Sequence, residues 1–167
     1  MRIAQIRELD VSNGSGCGVS LWVQGCSLRC LGCHNDSIWD FDGGVEYNEK
    51  VKDTICKLVN HPYITRFSIL GGEPTENDNI KYLLEIILAV KEIRPDITIW
   101  MWSGYTIEQL NEKFKTSQLA DTWEQLKLNL DYLIDGPYDG QLRDITLKYK
   151  GSTNQRVWNC KNWTVLE

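Results

Sequence analysis

The sequence predicts an α/β fold of about four to five βα units, with a parallel sheet that is either curved into an incomplete barrel or left as a short open sheet. Three observations lead there. Strand-like and helix-like apolar patterns alternate along the chain, as they do where parallel strands are joined by helical crossovers. The 167 residues suit a single domain, 1–167, and fall short of the ~250 residues of a closed eight-fold barrel. Polar, glycine-containing motifs follow four of the strands, and parallel folds bind ligands at the C-terminal ends of their strands.

The elements follow in order. RIAQIREL, residues 2–9, and GVSLWVQG, residues 18–25, read as strands, and the second runs into a cysteine-rich loop. YNEKVKDTICKLVN carries apolar residues at helical spacing: Val51, Ile55, Leu58 and Val59. ITRFSIL is a strand that ends in GGEP. NDNIKYLLEIILAVKEI is the clearest helix, with an apolar face of Ile80, Leu83, Leu84, Ile87 and Val90. Asn77 or Asp78 is its expected N-cap, and Pro95 lies beyond its end. ITIWMW is a strand, SGY a turn, and TIEQLNEKF a helix capped by Thr106. LDYLI is a strand closed by DGPY, and the last segment ends in one or two short strands. Residues 141–167 are set apart as a segment for closing the site or meeting a partner.

Composition narrows the classes. No apolar run approaches the ~20 residues of a membrane span. MRIAQIRELD lacks the basic-then-apolar layout of a signal peptide, so a cytoplasmic protein without a membrane partner is expected. The net charge of −5 argues against nucleic acid as partner. The charge is uneven. Residues 141–167 hold Arg143, Lys148, Lys150, Arg156 and Lys161 against Asp144 and Glu167. That is a solvated basic face or a surface for an anionic ligand or partner. Six cysteines in a cytosolic chain are expected to be reduced. Cys17, Cys56 and Cys160 read as small core residues. Most of the seven tryptophans belong in the core, and one left exposed would suggest an interface.

The other three cysteines carry the chemistry. CSLRCLGC places Cys26, Cys30 and Cys33 with three and then two residues between them. A loop this tight wraps one object. Three readings are open: a zinc ion completed by His34 or a remote cysteine, a 4Fe–4S cubane with one iron left free, or three unligated thiols. Zinc sites are usually built from two ligand pairs, and no second pair is present. Gly25 and Gly32 would let backbone amides approach the sulfurs of a cluster.

CSLRCLGC, with GGEP (Gly71 to Pro74) at a strand end some forty residues on, resembles the radical S-adenosylmethionine superfamily. NGSGCGVSLWVQGCSLRCLGCHNDSIW, WMWSGY, YLIDGPY and KGSTNQRVW narrow the resemblance to activating proteins of the anaerobic, class III ribonucleotide reductase. Two positions depart from that family: Ser15 stands where proline is usual and Ser103 where threonine is usual. Gly32 precedes the third cysteine, as in this subgroup, where the wider superfamily often has an aromatic residue.

The resemblance implies a partial βα barrel of radical S-adenosylmethionine type. It implies a 4Fe–4S cluster on Cys26, Cys30 and Cys33, with S-adenosylmethionine chelating the free iron. Cleavage of the sulfonium would yield a 5′-deoxyadenosyl radical that takes hydrogen from a glycine of the large reductase subunit. Gly32, Cys33 and His34 would flank the cofactor, while Gly71, Gly72 and Glu73 would hold its methionine end. Ser103 and Asp135 would reach its ribose or carboxylate, although a turn role suits each as well. Asn154, Gln155 and Arg156 would close the site or dock the partner, with Arg156 the foremost, or form a surface turn. An electron donor such as flavodoxin is expected. Two other readings share parts of the pattern. One is a small-molecule enzyme such as 7-carboxy-7-deazaguanine synthase, and the other a non-enzymatic metal-binding interaction module. CHN after the loop, DGPY and GSTNQR favour the activating protein.

Overall fold

The structure is a computed structural model and describes residues 1–166. One eight-stranded sheet runs β3-β1-β2-β4-β5-β6-β7-β8. Its strands are β1 (Arg2–Asp10), β2 (Gly18–Val23), β3 (Val45–Glu46), β4 (Arg66–Gly71), β5 (Thr98–Trp102), β6 (Tyr132–Asp135), β7 (Arg156–Asn159) and β8 (Thr164–Val165). The central strands β2, β4, β5 and β6 are parallel. Both margins are antiparallel: β1 and β3 on one side, β7 and β8 on the other.

Three crossovers join the parallel strands, fewer than the four to five units expected. The seven residues between β1 and β2 are too few for a parallel connection, which needs a dozen or more. The crossovers carry α1 (Glu49–Val59), α2 (Asn77–Ile93), and a pair, α3 (Ile107–Phe114) with α4 (Ala120–Asn129). The sequence pattern gives no sign of α4, because only Trp123 and Leu126 of its ten residues are buried. Thr106 caps α3 as expected, in a reciprocal capping box with Gln109. The N-cap of α2 is Glu76, not Asn77 or Asp78, and its side chain makes no capping bond.

Strand alternation sorts the core. Val19, Leu21, Val23, Phe67, Ile69, Ile99, Met101 and Leu133 meet the buried stripes of the helices. On the opposite face Trp100, Ile134 and Val157 are buried beneath Trp102, Tyr132 and Tyr149. Tyr149 lies across this face, its ring 4.8 Å from Trp100 and its carbonyl accepting from Trp102 Nε1 at 2.7 Å. Of the scattered cysteines only Cys160 is core, while Cys17 and Cys56 are half-buried, and all six thiols are free. Trp163 is the tryptophan left exposed.

A buried ion pair fixes the turn after β1. Arg66 and Asp10 are inaccessible to solvent. The guanidinium donates to the Asp10 carbonyl at 2.6 Å and to its carboxylate at 3.1 Å. Burial pushes the Asp10 carboxyl up, but donors from Asn13, Ser12 and Arg66 outweigh it and hold the group at about 2 instead of 3.8. A carboxyl with a depressed folded-state value stabilises fully above its ordinary value and loses that contribution as pH falls through the folded one. Asp10→Asn should therefore cost about 2 kcal/mol at pH 7. Urea denaturation across pH should show the gap to wild type closing between about pH 4 and pH 2. A gap independent of pH would contradict the pairing.

Candidate functional site

The C-terminal ends of β2, β4 and β5 open into a cavity of about 430 Å³. Cys26, Cys30, Cys33 and His34 form one wall, Gly71, Gly72, Glu73, Ser103 and Gly104 another, and Trp22, Trp39 and Trp102 give it apolar faces.

Four loops meet around it in a closed circuit. Gly72 N–H donates to Val23 and Glu73 N–H to Gly25, each at 2.8 Å, which ties GGEP to the cysteine loop. A Cβ on Gly72 would sit 2.0 Å from the Gly25 carbonyl oxygen, so the packing of these two backbones requires glycine there. GGEP is tied to SGY through the Glu73 carboxylate. SGY is tied to DGPY by Gly136 N–H donating to the Tyr105 carbonyl at 3.1 Å. DGPY returns to the cysteine loop, where the Tyr138 ring lies 5.3 Å from that of His34.

The thiols suit an iron–sulfur cluster. Burial pushes the Cys26 and Cys30 thiols up, opposed by backbone amides of Leu28 and Arg29 at Cys26 and of Tyr138 at Cys30. The neighbouring thiolates and Glu73 raise them further. Such a group of anions is relieved by a bound cationic centre, and amide donors to sulfur are what tune a cluster. Asn35 N–H adds a fourth such donor, 3.4 Å from Cys33 Sγ. A cubane takes its thiolates on separate irons. Cys26, Cys30 and Cys33 all line the cavity.

Glu73 is buried, 1 % exposed, and its carboxylate is engaged within the protein. Oε1 accepts from Thr75 N–H at 2.9 Å, Thr75 Oγ1 at 2.6 Å and Ser103 Oγ at 2.9 Å, and Oε2 accepts from Gly104 N–H at 2.8 Å. Burial pushes this carboxyl up and the four donors oppose it. The side chain thus braces two loops, and only Oε2 keeps most of its acceptor capacity.

The other expected site residues divide. His34 lines the cavity, with its ring 5.3 Å from Tyr138. Gly32 is exposed beside that same tyrosine, and off the wall. Asp135 lies off the cavity. It accepts from Ile107 N–H at 2.7 Å and pairs with Arg156, so the expected ribose or carboxylate contact has no geometry here. Arg156 bridges Asp135 to Glu108 and is wholly engaged inside the chain. Asn154 donates to the Pro137 carbonyl at 2.7 Å. Gln155 alone of that trio reaches the cavity, and it also donates to the Gly136 carbonyl at 3.0 Å. The segment therefore props DGPY. Sequence reading missed Tyr138, Trp39 and Glu76 as individuals. The first two lay inside motifs already noted, but nothing in their spacing marks them as lining a cavity.

Fold and site together define an α/β protein with three cysteines lining a cavity at the mouth of a parallel sheet. A family model described as a 4Fe-4S single cluster domain matches residues 12–158. The anaerobic ribonucleoside-triphosphate reductase-activating protein of Vibrio cholerae is 33 % identical over 159 residues, covering 94 % of this chain and 97 % of the relative. The protein of the same name from Pasteurella multocida is 33 % identical over 161 residues, covering 95 % and 97 %. That of Enterobacteria phage T4 is 31 % identical over 159 residues, covering 95 % and 94 %. The chain belongs to the family of anaerobic ribonucleoside-triphosphate reductase-activating proteins. No helix among the described residues is long and apolar enough to cross a membrane.

Proposed function

We propose that this chain is a radical S-adenosylmethionine enzyme. It would bind a 4Fe–4S cluster through Cys26, Cys30 and Cys33, and form a glycyl radical on the large subunit of the anaerobic ribonucleoside-triphosphate reductase. The observation that carries the reading is the meeting of three thiols with GGEP and SGY around one cavity. The four parallel strands with open antiparallel margins then serve as the partial barrel of that superfamily, whose open side admits the partner's glycine segment. An electron donor such as flavodoxin would serve the cluster. When bound, the cluster and S-adenosylmethionine supply the electron and the hydrogen-abstracting group.

The remaining work falls to the chain. The backbone of Gly71 and Gly72 and the free capacity of Glu73 Oε2 face an ammonium group. His34 flanks the cysteines at the mouth. Trp22, Trp39 and Trp102 keep water from the reacting centre. Gln155, with Asn154 and Arg156 behind it, holds the rim against which the partner docks.

Anaerobic reconstitution with iron and sulfide, reduction, and addition of S-adenosylmethionine should yield 5′-deoxyadenosine and methionine. Adding the reductase should produce the doublet of a glycyl radical in electron paramagnetic resonance. Absence of deoxyadenosine overturns the enzymatic reading. Deoxyadenosine without a glycyl signal redirects it to a small-molecule substrate.

A further inference from the structure

Glu76 stands at the N-cap of α2, where a short polar side chain would normally satisfy the helix's first amides. Its carboxylate does not cap. It reaches back 49 residues to Ser27, the neighbour of Cys26, accepting from Ser27 N–H at 2.9 Å and from Ser27 Oγ at 2.5 Å. Ser27 Oγ lies 3.2 Å from Tyr105 Oη. Lys113 sits 4.8 Å over the Tyr105 ring and donates to the Thr75 carbonyl at 2.8 Å. One carboxylate therefore joins the cysteine loop, the start of α2 and the SGY turn, and it does so where the loop leaves Cys26.

We infer that Glu76 is a positioning residue, which latches the cysteine loop to α2 and so fixes Cys26 against the cavity. The inference rests on the cluster-binding reading for its purpose, and for its geometry on the hydrogen bonds between Glu76 and Ser27. Backbone bonds hold the approach to Cys26, whose N–H donates to the Trp39 carbonyl at 3.1 Å while Gly25 accepts from Glu73 N–H at 2.8 Å, and Glu76 adds the side-chain tie on the residue that follows. Ser27 is exposed and gives the loop no apolar anchor of its own. A charge-assisted pair of hydrogen bonds is the stronger kind, and here it meets both polar groups of one residue.

The test uses the metal-free full-length chain and rates of thiol alkylation read by peptide mass spectrometry. Cys26 and Cys160 are similarly shielded, at 7 % and 6 % exposed, so Cys160 reports on the fold as a whole. Glu76→Ala should speed alkylation of Cys26 by about tenfold and leave Cys160 unchanged, because the latch opens locally. Glu76→Gln keeps an acceptor oxygen for Ser27 and should stay within about threefold of wild type. Equal acceleration at both cysteines, or none at Cys26, overturns the inference. After anaerobic reconstitution, Glu76→Ala should also shift the cluster's midpoint potential and its paramagnetic line shape. A wild-type chain that takes up no iron would count against the proposed function, and the alkylation result would still decide the latch.

Discussion

Cys30→Ser should remove the iron–sulfur centre and with it all cleavage of S-adenosylmethionine, a loss of at least about hundredfold. The serine hydroxyl is not a thiolate at neutral pH, and clusters are held by thiolates. Cys30 is the middle cysteine of its loop, electrostatically coupled to Cys26 and Cys33. Burial pushes its thiol up, and the Tyr138 backbone amide opposes that shift. The cost to folding stays small, within about 1 kcal/mol, because the side chain is only half-buried. Iron and sulfide per chain, the visible absorption, and deoxyadenosine yield would measure the first effect, and urea denaturation the second. Cys56→Ser, on α1, is the matched control and should retain all three signals. Cleavage that survives in Cys30→Ser would refute the ligand assignment.

The second large effect is on stability. Glu73→Ala should destabilise the fold by about 4 kcal/mol, as it leaves the Thr75 and Gly104 amides buried without an acceptor. The two hydroxyls can turn elsewhere, but the amides cannot. Glu73→Gln keeps Oε1 for three of the four donors and turns an NH₂ toward Gly104 N–H, so about half the loss is expected. Denaturation midpoints of the two variants would order them. A neutral Glu73→Ala would mean that this carboxylate braces nothing, and would return it to ligand binding alone.

Much of this was legible in the residues. The period of NDNIKYLLEIILAVKEI matches α2 from end to end, and the Thr106–Gln109 pair signals α3. The cysteine spacing and the motifs after β2, β4, β5 and β6 locate the cavity, because a parallel sheet places strand ends together. What stayed hidden is tertiary. Nothing local to Glu73, Asp135 or Arg156 shows that partners far along the chain occupy them. A carboxylate beside a glycine pair reads as a ligand for an ammonium, and nothing in the sequence adds the donors from Ser103 and Gly104 that it also accepts. The antiparallel margins likewise follow from connection lengths and backtracking loops, which apolar periodicity does not encode. Nor could α4 be seen, with two buried side chains to mark it.

The circuit of loops also bears on biosynthesis. Its final tie, from Gln155 to the Gly136 carbonyl, comes from near the end of the chain, while the cysteines lie in the first quarter. A nascent polypeptide thus presents its thiols long before the prop behind Tyr138 has left the ribosome. Any metal that reached those thiols earlier would meet a loop still without its prop.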